Sequence, residues 1–544
     1  MTSRSASASP WAIAAVGIAA LIAVPVVAVV SSLATPATEI WIHLWRTQLV
    51  ELTWNTVRLL LGVGAGTLVV GAGLAWLVVY HRFPGHAVLE WALILPLAMP
   101  AYVIGFASIG LFDFAGPVQT ALRRALGPGV QLPEIRSYGG VATMMTLVFY
   151  PYVYLLARAA FREQAGATLE TARSLGRSRV AAFLRVTLPL ARPSLAAGVA
   201  LAMMEALADF GTVAIYGYRT YTEAIYRVWH GMFDRMAATQ LASVLLLFAF
   251  ALLATERASR GRQRFTQTAR RGPTTAPQRL TGWRGWAATG ACLVVLAFGF
   301  LLPVGQLGWW AVDAVREGRV SRDFPMLIAN TLFLAGLAAA AACLFALVLA
   351  YAGRLHPSSG VRLAGQFASM GYAVPGSVIA VGVLVPLAWI DHTGGAMLAQ
   401  VLGRPVGLFL TGSALGLIAA YVVRFLAVGL QTVDASLLRV SPSLDDAARS
   451  LGAGTSGVLR RVHLPIIKRG LVTAMILVFV ETMKEMPATL LLRPFGLNTL
   501  SVEVWERTSE ALWQEAAVPA LAIVAAGLVP VILAIRWTSR GGGA

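Results

Sequence analysis

Long apolar stretches alternate along the chain with shorter polar segments. A membrane-spanning helix needs about 20 mostly apolar residues, and twelve stretches come close to or exceed that length. They cover 11–33, 55–80, 87–110, 138–157, 194–216, 237–254, 286–309, 327–352, 363–390, 409–430, 470–492 and 516–537. The pattern predicts an all-α, polytopic membrane protein of about 12 transmembrane helices. The first stretch could instead be a cleaved signal peptide, but its apolar run is long and only Arg4 precedes it, so we expect a retained helix.

The basic residues lie mostly in alternate segments between these stretches. They are concentrated in 158–192, 257–284 and 424–469, and the positive-inside rule places such segments in the cytoplasm. Both termini are then cytoplasmic.

The composition excludes other classes of protein. The chain of 544 residues has 58% hydrophobic and 12% charged residues, whereas soluble domains are about 25% charged. Neither a soluble nor a disordered protein fits these values. The formal net charge is +18, but the positive charge belongs to loops beside a lipid bilayer, so we expect no nucleic-acid partner.

Two parts of the chain repeat each other. Residues 170–205 align with 446–481 at a shift of 276 without a gap, and 12 of the 36 positions are identical. Each copy has six predicted spans, an even number, so the two halves are related in parallel about an axis along the membrane normal. We predict a first half at 1–255, a basic cytoplasmic linker at 256–285 and a second half at 286–544.

Each repeat contains a long basic loop, at 168–195 and at 443–471. A glycine precedes a proline by thirteen residues in both copies, as Gly176 with Pro189 and Gly452 with Pro465. A pair of loops that only set topology would explain the arginines but not this shared spacing. We therefore predict a helix–turn–helix in each loop.

The second loop contains local signals for both helices. Ser443 followed by Asp446 has the pattern of a capping box, which starts a helix. Gly452 suits the left-handed residue that ends one. Ser456 can start a second short helix, and Pro465 is expected to stop it. In the first copy Gly176, Ser178 and Pro189 take the corresponding positions.

These loops resemble the EAA loop of binding-protein-dependent ABC importer permeases. The matching positions are Glu170, Ala172, Gly176 and Pro189 in the first copy, and Asp446, Ala448, Gly452 and Pro465 in the second. The resemblance implies that each loop is a coupling helix seated in a cleft of an ATPase. Thr171 replaces the usual alanine and Asp446 the usual glutamate, but both copies keep the carboxylate.

The same resemblance implies the partners and the place of action. These are two copies of a cytoplasmic ABC ATPase subunit, a periplasmic substrate-binding protein and the bilayer of the bacterial inner membrane. Transport would proceed by alternating access, from periplasm to cytoplasm.

The chain has no P-loop of the form GxxxxGK[ST]. A P-loop needs a Gly-Lys pair, and the only lysines are Lys468, after Ile467, and Lys484, after Met483. We therefore expect no enzyme site and no cofactor in this chain, with ATP and Mg bound by the partner ATPase.

Two pairs of acidic residues lie inside predicted spans. Glu205 and Asp209 fall in the fifth span, and Glu481 and Glu485 in the eleventh. Each pair has i, i+4 spacing, which predicts a shared helix face. One hypothesis is a carboxylate-lined pathway for a cationic or hard-metal substrate. The alternatives are internal pairing, for example of Lys484 with an acid on a neighbouring helix, helix–helix hydrogen bonding, or wet positions near the periplasmic ends of the spans.

Four stretches resemble more narrowly the iron(III) importer permeases. They are LPLAMPAYVIGFA (95–107), ADFGTVAIYGYRTYTEAIYRVW (208–229), GYAVPGSVIAVGVL (371–384) and ETMKEMPATLLLRPFGLNTLSVEVWE (481–506). Pro100 and Pro375 are expected to interrupt the third and ninth spans, where irregular backbone is tolerated only beside a cavity or other protein. Ordinary proline kinks are the alternative.

Ferric iron is the substrate that this narrower resemblance implies. Permeases for thiamine, polyamine, sulfate or phosphonate are the alternatives within the family. A secondary transporter and a passive channel are the competing classes of protein. Only His392, beside Asp391, hints at metal contact, so no metal site is firmly assigned.

Overall fold

The computed structural model describes residues 9–34, 38–164, 178–260, 277–403 and 407–540. Within these ranges the chain is almost entirely helical, and its only strands, His81–Arg82 and Gln278–Arg279, pair in parallel. The all-α prediction is confirmed.

Twelve helices precede the basic linker. They are α1 (Pro10–Ser31), α2 (Thr38–Thr47), α3 (Leu49–Tyr80), α4 (His86–Ala92), α5 (Ala101–Phe112), α6 (Pro117–Leu126), α7 (Tyr138–Gln164), α8 (Arg179–Ala182), α9 (Leu188–Ala208), α10 (Gly211–Ile215), α11 (Tyr221–Gly231) and α12 (Arg235–Arg260). This count covers only the described part of the chain.

The described residues after the linker form twelve more helices. They are α13 (Trp283–Leu296), α14 (Leu302–Arg316), α15 (Phe324–Leu355), α16 (Ser359–Met370), α17 (Gly376–Leu402), α18 (Ala414–Leu437), α19 (Pro442–Ser450), α20 (Thr455–Val458), α21 (Leu464–Lys484), α22 (Pro487–Leu492), α23 (Leu500–Ser509) and α24 (Trp513–Arg540).

Twelve helical stretches among the described residues are long and apolar enough to cross a membrane, as predicted. The ninth and the third differ in position, because the qualifying stretches are Gly376–Val401 and Ala101–Leu126. The residues before Ala101 form only the shorter apolar stretch His86–Ala98. The break between them lies at Pro100, which precedes the first residue of α5. Pro375 likewise precedes α17. Both prolines interrupt their spans as expected.

Three π-helical turns let helices continue through a proline. The turns are Phe183–Thr187, Ala297–Leu301 and Leu459–His463, and Pro189, Pro303 and Pro465 follow them by two residues. In an α-helix a proline ring clashes with the carbonyl four residues earlier. Here that carbonyl belongs to the wider π turn in each case. The prediction that Pro465 stops a helix is therefore wrong, and helical backbone runs from Thr455 to Lys484.

Packing divides the chain into two compact units. Unit 1 comprises Met1–Trp41, Ile225–Leu246 and Arg322–Glu503, and unit 2 comprises Ile42–Ala224, Leu247–Ser321 and Val504–Ala544. These units do not coincide with the sequence repeats, because each takes in helices from both. The repeat boundaries at 255 and 286 stay a prediction from the sequence.

Unit 1 is built around helices of the second repeat. Helices α15, α18 and α21 pack against one another, and α17 contacts α18 and α22. Helix α1, from the start of the chain, packs against α15, α16 and α17. Glycine allows the closest approaches, since a Cβ at Gly382 would lie 2.8 Å from the carbonyl carbon of Pro25 in α1. Small residues commonly bring membrane helices together in this way.

Unit 2 is built around helices of the first repeat. Helix α3 packs against α7 and α9, and α5 contacts α10 and α14. Helix α14, from the start of the second repeat, also packs against α24. Gly71 of α3 and Gly198 of α9 both approach Val153 of α7, to which an added Cβ would come within 2.7 and 2.8 Å.

Candidate functional site

The second basic loop begins with a short capped helix. Helix α19 starts at Pro442, a residue suited to the first helical position, and the hydroxyl of Ser441 accepts a hydrogen bond from the N–H of Ser443 at 3.4 Å. The predicted capping box of Ser443 and Asp446 is therefore wrong by two residues. The chain begins the helix earlier because the Ser-Pro pair already supplies a cap and a fixed φ.

Gly452 ends α19 in the predicted left-handed conformation, with φ of 84°. Its N–H donates to the carbonyl of Arg449 at 2.9 Å, and the N–H of Ala453 donates to the carbonyl of Ala448 at 3.0 Å. These two bonds form a Schellman motif. The following helix α20 begins at Thr455, one residue before the predicted Ser456.

The loop residues assigned to ATPase coupling differ in exposure. Asp446 and Gly452 are exposed, Ala448 is half-buried, and Pro465 lies in the first turn of α21. Two apolar side chains of this loop also face outward, since Leu444 is 43% and Leu451 87% exposed.

The first loop is only partly described. Glu170, Ala172 and Gly176 lie outside the described residues. Pro189 is the second residue of α9. The coupling roles of all eight residues in the two loops stay predictions.

Two of the four acids predicted for the pathway lie where a helix breaks. Helix α9 ends at Ala208, and helix α21 ends at Lys484. Asp209 and Glu485 follow directly, with ψ of 123° and 120°. The prediction that each i, i+4 pair shares a helix face is therefore wrong, because the second acid of each pair has left the helix.

Asp209 and Glu485 instead receive hydrogen bonds from the short helix that follows each of them. The carboxylate of Asp209 accepts from the N–H of Thr212 at 2.8 Å and from its hydroxyl at 3.0 Å. The carboxylate of Glu485 accepts from the N–H groups of Ala488 and Thr489 at 3.1 and 3.2 Å. Acidic side chains stabilise a helix start in this way. Because each acid caps the following helix, the backbone leaves the longer helix at that residue.

The backbone carbonyls of the same two acids are held alike in both repeats. The hydroxyl of Thr222 donates to the carbonyl of Asp209 at 2.8 Å, and the hydroxyl of Ser501 donates to the carbonyl of Glu485 at 2.9 Å. In both units, therefore, an acid lies at the break of a helix.

In unit 1 both acids of the eleventh span face a basic residue. The ammonium group of Lys484 lies 2.9 Å from the carboxylate of Glu481 on the same helix. The Nη1 of Arg424, in α18, lies 3.6 Å from Oε1 of Glu485, whose side chain is 1% exposed. Internal pairing, one of the alternatives from the sequence, therefore holds for Glu481 and Glu485. Glu205 lies half-buried in α9 of unit 2.

The break in the ninth span lies beside the same buried ion pair. Gly376 is the first residue of α17, directly after Pro375. A Cβ at Gly376 would overlap both Oε1 of Glu485 and Nη1 of Arg424. Pro375 and Glu485 are thus brought together within unit 1. In unit 2, α5 after Pro100 packs against α10 after Asp209, with Gly105 against the methyl group of Thr212.

Sequence reasoning missed Arg424 and Asp445. Arg424 is an arginine inside an apolar span. Charged residues are rare at such positions and usually have a binding partner or a function. Asp445 adjoins Asp446 but is buried, at 8% exposed. The signal for Arg424 was available in the sequence, whereas nothing local distinguished the two aspartates.

No group of three or more His, Cys, Asp or Glu side chains in the described ranges is arranged to hold a metal ion. The carboxylate of Asp391, adjacent to His392, accepts hydrogen bonds from the N–H groups of Phe409, Leu410 and Thr411 at 3.3, 2.9 and 2.6 Å. These bonds give Asp391 a structural role in holding the 407–413 segment.

The sequence matches one family model twice. The family described as "Binding-protein-dependent transport system inner membrane component" covers residues 67–255 and 342–540. The two matches agree with the repeat found by aligning the chain on itself.

Several curated proteins are similar over most of the chain. The "Fe(3+)-transport system permease protein FbpB 2" of Haemophilus influenzae is 28% identical over 502 residues, which cover 91% of this chain and 92% of that protein. The "Putative ferric transport system permease protein FbpB 1" of the same organism is 24% identical, over 73% of this chain and 63% of that protein. The "Sulfate transport system permease protein CysT" of Salmonella typhimurium is 30% identical, over 34% and 67%.

Proposed function

Since the chain belongs to the family of binding-protein-dependent transport system inner membrane components, we propose that it is the permease subunit of an ATP-driven importer. It is a multi-pass inner-membrane protein, and twelve helical stretches in the described part of the chain are long and apolar enough to span the bilayer. In the proposed assembly, two copies of a cytoplasmic ABC ATPase subunit bind ATP and Mg. A periplasmic binding protein delivers the substrate, and both termini of the permease are cytoplasmic.

The form of the second basic loop is the observation that carries this proposal. Helix α19 is short, is closed by a Schellman turn and presents Leu444, Asp446 and Leu451 outward. An ATPase subunit bound to this loop would remove both leucine side chains from water, which favours association. ATP-driven closure of the ATPase would push this helix and its counterpart around Gly176, and the push would switch the permease between outward and inward access.

Gly452 provides a test of the coupling role. Its φ of 84° strains any residue with a Cβ, at about 1–2 kcal/mol, so Gly452→Val should deform the turn. ATP-dependent uptake in proteoliposomes containing the ATPase and the binding protein should then be lost, with folding and insertion retained. Gly454→Val is the matched control, because Gly454 lies in the same open turn with φ of −69°. Normal uptake by a Gly176→Val, Gly452→Val variant would contradict the coupling assignment.

Ferric iron is the substrate that we propose. Two relatives similar over most of this chain are named for ferric transport, whereas the sulfate permease matches only 34% of it. Carboxylate oxygens suit a hard cation. In this proposal Glu205 and Asp209 of unit 2 line the pathway, and the break at Pro100 opens it. Glu481 and Glu485 are already paired with basic residues. Thiamine, polyamine, sulfate and phosphonate are the alternative substrates.

Asp209 is the acid best suited to test this pathway. Its carboxylate accepts hydrogen bonds from two neutral groups of Thr212, and asparagine caps a helix as well as aspartate does. Asp209→Asn therefore removes the charge and keeps the cap. We expect labelled ferric uptake to fall about tenfold, the factor produced by about 1.4 kcal/mol of lost cation binding.

Glu510→Gln, at an exposed acid outside the predicted spans, is the control for the loss of one negative charge. Equal uptake by the Asp209→Asn and Glu510→Gln variants would remove Asp209 from the pathway. If the unaltered protein takes up sulfate but not iron, sulfate replaces ferric iron as the proposed substrate.

A further inference from the structure

A buried charged cluster ties the second basic loop to the helices of unit 1. It consists of Asp445 in α19, Arg354 in the last turn of α15 and His463 in the π turn before α21. Oδ2 of Asp445 accepts a hydrogen bond from Nε of Arg354 at 3.0 Å, and Oδ1 accepts from Nη2 at 3.2 Å. Nε2 of His463 lies 2.6 Å from Oδ1. The side chains of Arg354, Asp445 and His463 are 16%, 12% and 0% exposed.

Arg354 also closes the end of a third helix. Its Nη1 donates to the carbonyl of Leu437 at 2.8 Å, and its Nη2 donates to the carbonyl of Val440 at 3.0 Å. Leu437 is the last residue of α18, where helix carbonyls lack intrahelical partners. The planar guanidinium group can satisfy a carboxylate and these carbonyls together. One side chain therefore links α15, α18 and α19.

The second arm of the loop is fixed to the same end of α15. The hydroxyl of Tyr351 donates to the carbonyl of Thr455, the first residue of α20, at 2.9 Å. The ring of Tyr351 meets that of His463 edge-on at 5.5 Å, and Trp11 of α1 packs edge-on against Tyr351 at 4.9 Å. Both arms of the helix–turn–helix are thus held by residues one turn apart on α15.

The carboxylate of Asp445 is stabilised in its charged form. Burial by itself would raise its pKa, but the hydrogen bonds from Arg354 and His463 and their charges outweigh burial and lower the pKa below its ordinary value. A charge-assisted, two-point contact of this kind is short and directional. The contact therefore resists bending of α19 relative to α15.

This arrangement is specific to the second repeat. At the shift of 276, Asp445 corresponds to Leu169 and His463 to Thr187, neither of which can form the cluster. In unit 2 the charged cluster at the end of α7 joins Arg158 and Arg162 to Glu90 of α4. All three of those residues lie outside the loop at 168–195.

We propose that Arg354, Asp445 and His463 form the joint through which movement of α19 is transmitted to α15, α18 and α21. Asp445 is then a positioning residue for transport, with a role distinct from that of the exposed Asp446. This inference rests on the proposed function. Without the joint, the ATPase still engages α19, but the loop bends and the spanning helices do not follow.

The test is the number of ATP molecules hydrolysed per iron transported. Reconstituted with the ATPase and the binding protein, the Asp445→Asn variant should keep hydrolysing ATP while this ratio rises about tenfold, within the usual range of coupling between sites. The amount of ATPase that co-purifies should equal that of the unaltered protein. Asp446→Asn is the contrasting variant, because less ATPase should co-purify with it. Glu510→Gln, which removes an exposed acid outside both loops, should leave the ratio and the co-purified ATPase unchanged.

A second pair of variants separates the joint from mere stability. His463→Gln retains an N–H donor and should keep the unaltered ratio, whereas His463→Leu has no donor and should raise the ratio as Asp445→Asn does. If Asp445→Asn does not fold, the His463 pair decides. If the ratio is unchanged in His463→Leu while the unaltered protein takes up iron normally, the joint is overturned and the proposed function stands. Absence of any ATP-dependent uptake by the unaltered protein would overturn the proposed function and the joint with it.

Discussion

Replacing Arg424 with methionine should lower the free energy of unfolding by about 3–5 kcal/mol, because removing one partner of a buried ion pair leaves the other charge uncompensated. That other charge is Glu485, whose side chain is 1% exposed, and Arg424 itself is 13% exposed. The variant should show a lower midpoint of thermal unfolding in detergent and a lower yield of folded protein.

The same prediction requires recovery when both charges are removed. Glu485→Gln in the Arg424→Met background should restore most of the lost stability, since a neutral amide can still accept the hydrogen bonds from Ala488 and Thr489. Arg439→Met, at an exposed arginine shortly after the end of α18, should change the stability by less than about 0.5 kcal/mol. A double variant no more stable than Arg424→Met would show that the pair is not what stabilises this region.

Gly382→Ala should destabilise the protein by about 3 kcal/mol, the upper part of the usual range for overpacking. An added Cβ would lie 2.8 Å from the carbonyl carbon and 3.0 Å from the Cα of Pro25. Both are backbone atoms of α1, which cannot move aside as a side chain can. The substitution should push α1 away from α17. Thermal unfolding and protease cleavage near the start of the chain would detect the change.

Gly336→Ala is the matched control for this substitution. Gly336 also lies within a long helix, α15, but no atom lies within 4 Å of an added Cβ. Because alanine favours a helix by up to about 1 kcal/mol over glycine, this variant should be as stable as the unaltered protein or more so. Equal stability of the two variants would contradict the close packing of α1 on α17.

For the intramembrane acids, the sequence pattern predicted some features correctly and others wrongly. Their positions within predicted spans followed from the sequence, as did the hypothesis that Lys484 pairs with an acid, although the partner is Glu481 on its own helix. The i, i+4 spacing suggested a shared helix face, and this was wrong for Asp209 and Glu485. A carboxylate can cap the next helix only if the first one ends. That competition depends on where the following chain returns, which spacing does not encode.

In the repeated loop, too, some features were predictable from the sequence and others were not. Its place between spans, its helix–turn–helix form and the left-handed Gly452 were predictable, because each depends on residues close in sequence. The distinction between Asp445 and Asp446 was not. Both are acids on one short helix, and only the packing of α15 and α21 against that helix places Arg354 and His463 beside Asp445.

The sequence by itself determined the twelve apolar spans, the all-α class, the internal repeat and the short helix of the second loop, because hydrophobic length and turn chemistry act locally. Only the tertiary structure decided that α1 packs with helices of the second repeat, that Arg424 meets Glu485 beside Gly376, and that Asp445 is the buried anchor. These contacts join residues far apart in the chain. Their formation depends on close helix packing and on the pairing of buried charges. Neither produces a periodic pattern of residues in the sequence.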